Sequence, residues 1–341
     1  MSKKPQAPRP QTRMKEVALR ARVSPMSVSR ALRSPDQVSA ETLRRVQKAV
    51  REMSYVPNRL AGGLKAPTRT QLAAAIVPSV RNSLFAATLQ GLTDTLRKKG
   101  ISLMLGDAGY SHDDEETLIA AFLAHRPCGL VLHDTTHTAR TRRLLERSGI
   151  PVVETGNLTT DPIDLVVSYS NFDAAKAMTG YLLGRGYGRV AFVGLPLLGN
   201  ERVKERQRGY YAALAAAKVP RDDALVVEVP GSFENGAHAL LRLIKARPNV
   251  DAIFFAGDVL AIGAMMECTR RGWQVPKKIA IAGFDDWEIS RQFATPITTL
   301  DIPRYRIGEC AAELMLRRLD GDKGKIEPVD VGFRIIERKS T

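Results

Sequence analysis

Apolar residues between Met14 and Met53 recur at three- and four-residue spacing. Val17, Ala18 and Ala21 mark one side of a first helix, and Val28, Ala31 and Leu32 the inner side of a second. Ser24 suits the N-cap of that second helix, with Pro25 at its first position, where no backbone donor is lost. Leu43, Val46, Val50 and Met53 repeat the spacing in a third helix capped by Ser39. The pattern predicts three short helices closed on a small core. Met26, Ser27, Ser29, Arg30 and Arg33 then fall on the outer face of the second helix, a polar and basic face of the size a major groove accepts. Arg44, Arg45, Lys48 and Arg51 line the outside of the third.

From residue 70 the rhythm changes. Apolar runs at Leu72–Val77, Ile101–Leu105, Gly129–Leu132 and Val152–Val153 alternate with helical stretches at Leu84–Lys98, Asp114–Ala124 and Thr138–Arg147. A second set follows, with strands at Leu165–Val167, Val190–Val193, Val226–Val229, Ala252–Phe255 and Ile279–Ala282. Its helices fall at Phe172–Leu183, Lys204–Ala217, Asn235–Lys245 and Leu260–Arg271. Strands alternating with helices of this length predict an α/β body of two lobes, each a parallel sheet covered on both faces.

Charge divides the chain at the same place. Residues 1–69 carry sixteen Lys or Arg against four Asp or Glu, whereas residues 70–341 carry 35 against 32. A basic head on a nearly neutral body is the electrostatic footprint of a phosphate-binding module. Residues 1–12, basic and Pro-rich, read as a disordered tail. No stretch is apolar and long enough for a signal peptide or a membrane span, so a soluble cytoplasmic protein is expected. Cys128, Cys268 and Cys310 lie far apart in apolar stretches and read as buried thiols. The five histidines (His112, His125, His133, His137, His238) form no metal pattern. There is no Gly-x-Ser-x-Gly, no P-loop and no dinucleotide fingerprint, so neither an enzyme nor a cofactor is expected.

The head carries Glu16-Val17-Ala18, Val23-Ser24, Val28-Ser29-Arg30, Val38-Ser39-x-Glu41-Thr42 and Tyr55-x-Pro57-Asn58-Arg59-x-Ala61 in order. The body carries Pro78-x-x-x-Asn82-x-x-Phe85, Arg206-x-x-Gly209-Tyr210, Ala280-x-Ala282-Gly283-Phe284-Asp285-Asp286 and Thr295-Pro296-Ile297-Thr298-Thr299-Leu300. With these segments the chain resembles the LacI family of bacterial transcription regulators over roughly residues 13–337. The resemblance implies a helix-turn-helix head over 13–56, a hinge over 57–66 and a periplasmic-binding-protein-like core over 67–341. It implies three crossings between lobes, with lobe one about 70–170 plus 302–328 and lobe two about 171–300 plus 329–341. It also implies a homodimer on near-palindromic double-stranded operator DNA. No leucine heptad follows the body, which favours a dimer over a tetramer.

For DNA reading, Arg30 is the candidate for a guanine edge, a bidentate contact worth ~1–3 kcal/mol of discrimination. Pro25 and Met26 would read thymine methyls or shape. Ser24, Ser27 and Ser29 either reach phosphates or cap the helix. Arg59 and Lys65 are expected on phosphates, beside Asn58. The resemblance makes residues 58–64 a short helix formed on DNA, with Leu64 as the minor-groove wedge. Gly62 and Gly63 each weaken such a helix by about 1 kcal/mol relative to alanine.

For the ligand, the resemblance implies a cleft between the lobes at strand C-terminal ends. Its candidates are Asn82, Ser83, Phe85, Asp107, Tyr110, His133, Asn171, Arg206, Asp258 and Asp285. Arg206 matches the arginine that clamps the effector, and Asp258 stands where Asn is usual. The run Leu132-His133-x-Thr135-Thr136-His137-Thr138-x-Arg140-Thr141 looks like the gluconate-operon repressors. So do Ile150-Pro151-Val152-Val153-Glu154 and Asn171-Phe172-x-Ala174-Ala175-x-x-Met178-Thr179. That implies a sugar acid such as gluconate, a keto-gluconate or its phosphate, whose carboxylate Arg206 could pair bidentately. It also favours a repressor released from DNA by its ligand.

Overall fold

The computed structural model describes residues 12–55, 70–80 and 83–341. The chain separates into two compact units at Thr68 and Arg69.

The first unit holds α1 (Met14–Ala21), α2 (Pro25–Arg33), a 3-10 turn at Pro35–Gln37 and α3 (Ala40–Glu52). Val17, Ala18 and Ala21 from α1 meet Val28 and Ala31 from α2 and Val46, Ala49 and Tyr55 in a closed core. The backbone N–H of Arg13 donates to the Glu16 carboxylate at 2.9 Å, which ties down the start of α1. Arg22 ends that helix in the left-handed conformation, φ 53°. One expectation needs correction here. Arg45 does not simply line the outside of α3: its guanidinium donates to the carbonyls of Ala21 at 2.6 Å and Arg22 at 2.6 Å. It satisfies the orphan acceptors at the C-terminus of α1. Thr12, read as part of the tail, donates its hydroxyl to the Met53 carbonyl at 3.2 Å. The rest of the proposed tail, residues 1–11, and the proposed hinge lie outside the described residues.

The second unit begins with β1 (Leu72–Val77), α4 (Leu84–Arg97), β2 (Ser102–Asp107), α5 (His112–Ala124), β3 (Leu130–Leu132), α6 (Ala139–Ser148), β4 (Val152–Glu154) and β5 (Leu165–Ser168). It continues with α7 (Asn171–Gly184), β6 (Val190–Gly194), α8 (Glu201–Ala216), β7 (Val226–Glu228), α9 (Phe233–Ala246), β8 (Ala252–Phe255), α10 (Asp258–Arg270) and β9 (Ala280–Ala282). It closes with β10 (Thr299–Asp301), α11 (Arg304–Leu319), β11 (Val329–Asp330) and β12 (Arg334–Ile336).

Two parallel sheets result. The first runs β11-β5-β4-β3-β1-β2 and the second β7-β6-β8-β9. The inner strands β1, β3, β6 and β8 are apolar runs buried almost throughout, because helices cover both faces there. β10 and β12 form an antiparallel pair, and an Ala282–Thr298 bridge ties that segment to the edge of the second sheet. The chain passes between the lobes three times: after β5, after β10 and between β11 and β12. The third passage falls slightly later than expected. Val329–Asp330 extends the first sheet by pairing with β5, so it belongs to lobe one, and the chain returns to lobe two only at β12.

Close helix packing fixes each lobe. α11 lies against α4 through Gly308 and Gly91, where an added Cβ would collide with the backbone carbonyls of Thr88 and Tyr305. Cys128, Cys268 and Cys310 are buried. Among the described residues no helix is long and apolar enough to cross a membrane.

Candidate functional site

The head presents a defined outer face. Ser24 caps α2 by accepting the Ser27 N–H at 3.1 Å, and the two hydroxyls lie 2.9 Å apart. The capping role is therefore filled, and Val28 and Ala31 turn inward as the spacing predicts. Pro25 and Arg30 are exposed, Ser27 and Ser29 half-buried, and Met26 is 69% exposed despite its apolar side chain. The Arg30 side chain makes no hydrogen bond or ion pair to a described residue. An exposed methionine beside an exposed arginine on a short capped helix has the composition of a groove-reading face. Asn58, Arg59, Leu64 and Lys65 lie outside the described residues.

In the body the strand ends deliver side chains to the space between the lobes, and Arg206 is its anchor. It projects from α8, the helix that starts at the Asn200 cap. Nε donates to Asn171 Oδ1 at 2.8 Å, Nη1 to the Ala256 carbonyl at 2.6 Å and Nη2 to Tyr169 Oη at 3.0 Å. The guanidinium lies 3.6 Å over the Phe284 ring. All these partners are neutral, so a buried cation stands here with no carboxylate bonded to it. Asn171 is itself fixed by donating to the Gly156 carbonyl at 2.8 Å and to Asn157 Oδ1 at 3.1 Å.

Two further arginines accompany it. Arg202 sits one turn before Arg206 on α8 and pairs with Asp134 at 3.2 Å. Arg304 opens α11 and pairs with Asp285. Burial alone would lower the Arg304 pKa, but the Asp285 carboxylate more than offsets this and raises it. Asp285 is raised by its burial, against the pull of Arg304 and Arg206. Its backbone φ of 119° is unusual for a residue with a side chain and marks a strained turn at the end of β9.

His133 lies at the end of β3 among these groups. Burial, then the positive charges of Arg202, Arg304 and Arg206, push its pKa well below the ordinary histidine value. Nδ1 is 2.9 Å from the Thr155 hydroxyl, and Phe85 meets the ring edge-on at 4.5 Å. Of the other candidates, Ser83 lines a groove with Asp285, Trp287 and Arg304. Tyr110 lines a small cavity with His133 and Asp134, and with Asp107 it borders a mouth of about 720 Å³ beside Leu198, Asn200 and Trp287. Asp107 accepts the N–H groups of Val80 and Gly109, both at 3.0 Å. Asn82 lies outside the described residues.

Asp258 is placed differently from expectation. It is fully buried, and both oxygens are engaged inside lobe two by the Trp287 N–H at 2.8 Å, Ser290 Oγ at 2.7 Å and Thr299 Oγ1 at 2.7 Å. Burial, then the nearby Asp285 charge, raise its pKa to about 6. It braces the 285–299 segment behind the cleft, with both oxygens already engaged by lobe-two donors. Sequence reasoning passed over Tyr169, Asp134, Thr155, Arg202 and Arg304. Only Arg202 left a signal, its four-residue spacing from Arg206, which places both on one helix face. Among the described residues no cluster of His, Cys, Asp and Glu could hold a metal ion.

Known proteins match both units. Residues 13–58 fit the description "Bacterial regulatory proteins, lacI family", and residues 179–341 fit a periplasmic binding protein-like domain. The transcriptional regulator GntR of Pseudomonas aeruginosa is 37% identical over 330 residues, covering 96% of this chain and 95% of the relative. GntR of Escherichia coli K12 is 34% identical over 323 residues, covering 94% and 96%. A LacI family regulator from Silicibacter pomeroyi superimposes with a TM-score of 0.89 at 29% identity, covering 96% of this chain and 99% of the other. The regulator GntR from Chromobacterium violaceum does so at 0.75 and 36% identity, over 79% and 98%. These relatives are transcriptional regulators, not enzymes. The chain belongs to the lacI family of bacterial regulatory proteins and is a DNA-binding transcriptional repressor of that family.

Proposed function

We propose that this repressor is controlled by a sugar acid carrying a single carboxylate, gluconate or a keto-gluconate, bound between the lobes of residues 70–341. The carrying observation is Arg206. Arg202 and Arg304 already hold carboxylates, whereas Arg206 is buried among neutral partners and suits one added acid group. Neutral His133 and Asp285 would serve hydroxyls, and the Phe85 edge would face the carbon chain. A phosphate ester brings further negative charge, and no second guanidinium stands without a carboxylate among Arg202, Arg206 and Arg304. The likeness to regulators named GntR and IdnR supports the same ligand class.

In this reading two heads of a homodimer grip a near-palindrome, α2 in the major groove and Leu64 wedging the minor groove, and the ligand releases them. A ligand shifts that balance only by binding one state better than the other. Calorimetry on the full chain tests the ligand. Gluconate should bind, its phosphate should bind at least tenfold more weakly, Arg206→Lys should weaken gluconate and Arg206→Ala abolish it. Failure of every sugar acid to bind would end the reading. Leu64→Ala should weaken operator binding while gluconate affinity stays unchanged.

A further inference from the structure

Two buried ion pairs join the lobes, and they differ in how far they lie from a chain crossing. Asp285 of lobe two meets Arg304, which follows β10 by three residues, beside the second crossing. That pair can persist while the lobes swing about it. Arg202 and Asp134 are 68 residues apart and lie on elements with no crossing beside them. Arg202 donates from Nη1 to Asp134 Oδ2 at 3.2 Å and to the His133 carbonyl at 2.9 Å, both on lobe one. Parting the lobes must break both bonds.

Both halves of this contact are held rigid before they meet. On lobe two, Asn200 caps α8 and sets the first turn that carries Arg202. On lobe one, Asp134 Oδ1 accepts the Thr135 N–H at 2.8 Å. The loop beyond it is pinned where His137 reaches Glu115 at 2.6 Å and Thr138 donates to Glu116 at 2.6 Å. The arginine stem also has a seat. A Cβ on Gly156 would lie in tight contact, 3.3 Å, with Arg202 Cδ, and its φ of 94° is one that glycine adopts freely. The charges are exchanged reciprocally: lobe two contributes Arg202 and Asp285, lobe one Asp134 and Arg304.

We infer that Arg202, gripping Asp134 and the His133 carbonyl, is a latch that keeps the two lobes shut in the absence of any ligand, with the Asp285–Arg304 pair as its pivot. Each partner alone is a buried charge that opening would rehydrate, so losing either one favours the parted state. The latch concerns the empty chain and stands or falls apart from the sugar-acid reading.

The test measures lobe separation without ligand. Spin labels go on Asp113→Cys of lobe one and Leu198→Cys of lobe two, both exposed, while the native Cys128, Cys268 and Cys310 are buried. Labelled full-length chain is diluted in unlabelled chain, so only distances within one chain are read. The unmodified latch should give one narrow, short distance. Arg202→Met keeps the stem and removes the charge, and should shift the distribution to longer, broader distances. Asp134→Asn, which keeps the acceptor for Thr135, should do the same, and Arg202→Lys should restore much of the short population. The double variant should open no further than either single one. A short, narrow distance in both Arg202→Met and Asp134→Asn would overturn the latch. If Arg202→Met fails to fold, Asp134→Asn decides alone.

Discussion

The Thr155 hydroxyl sets the proton on His133. Thr155 donates to the Leu132 carbonyl at 3.1 Å, so at 2.9 Å it accepts from the imidazole, and His133 carries its hydrogen on Nδ1. Nε2 of the neutral ring is then left with a lone pair, the acceptor a sugar hydroxyl needs. Because burial and three arginines depress the folded pKa, the unfolded chain takes up this proton first as pH falls. The stability His133 contributes is complete above about pH 6.5 and declines below it. Proton NMR should show no His133 inflection between pH 5.5 and 8, and the urea midpoint should drop from pH 7.5 to 5.5 less in His133→Asn than in the parent. An inflection near 6.5 would refute this.

His137 titrates the other way. Burial would lower it, but the hydrogen bond it donates to Glu115 and the nearby Glu154 raise its pKa to about 9. Its Nε2 lies 3.3 Å from Glu154 Oε1 but is not aligned for a hydrogen bond, so Glu154 acts through its charge. A raised pKa gives stability that is complete below about pH 6.5 and disappears as pH rises through about 9. The amount is on the order of 3 kcal/mol. Denaturation at pH 7 and pH 10 should show this loss in the parent and not in His137→Gln. Equal slopes in the two proteins would count against this coupling of His137 to Glu115 and Glu154.

Asp258 should tolerate, and even welcome, an amide. Its raised pKa means that the carboxylate favours the fold only while protonated, below about pH 4, and opposes it once pH passes about 6. An asparagine Oδ1 can still accept from Trp287 and Ser290, and the Thr299 hydroxyl can turn to accept from Nδ2. Asp258→Asn should therefore gain on the parent between pH 4 and pH 7.5, by on the order of 2–3 kcal/mol. Asp258→Leu, which strands three donors, should lose at both pH values. A fixed difference between Asn variant and parent across that range would show the opposite.

Arg30 and Arg45 should separate reading from folding. The Arg30 side chain has no described partner, so Arg30→Ala should leave the melting of the head unchanged while costing ~1–3 kcal/mol of operator discrimination. Arg45 holds two carbonyls at the end of α1, so Arg45→Ala should destabilise the head by ~1–2 kcal/mol. Calorimetric melting and fluorescence anisotropy on operator and scrambled duplexes check both. A shifted melting point in Arg30→Ala would reassign that residue.

The sheets were legible because strands covered on both faces leave long apolar runs, as at Leu72–Val77. The capping of α2 was equally legible, since Ser24 and Pro25 act within a few residues of their own positions. Arg206 was singled out from the Gly209-Tyr210 motif that follows it, and the structure buries it among neutral partners. What escaped the sequence depends on contacts across great separations. Arg304 meets Asp285 only because the chain has crossed back into lobe one, and Arg45 caps a helix 24 residues away. Asp258 was misplaced for the same reason: its position after Gly257 points to the cleft, but Ser290 and Thr299 arrive from elsewhere and claim it.

The late arrival of α11 and β11 has a consequence for biosynthesis. Lobe one needs α11 against α4 and β11 beside β5, yet both are encoded after most of lobe two. A nascent polypeptide that has emerged as far as β5 exposes the face of α4 and the free edge of β5 for the whole time that roughly half its length is still being translated. This repressor cannot mature one lobe at a time from its amino terminus. Lobe one can close only near the end of translation, and chaperones that shield apolar surface should find their target there.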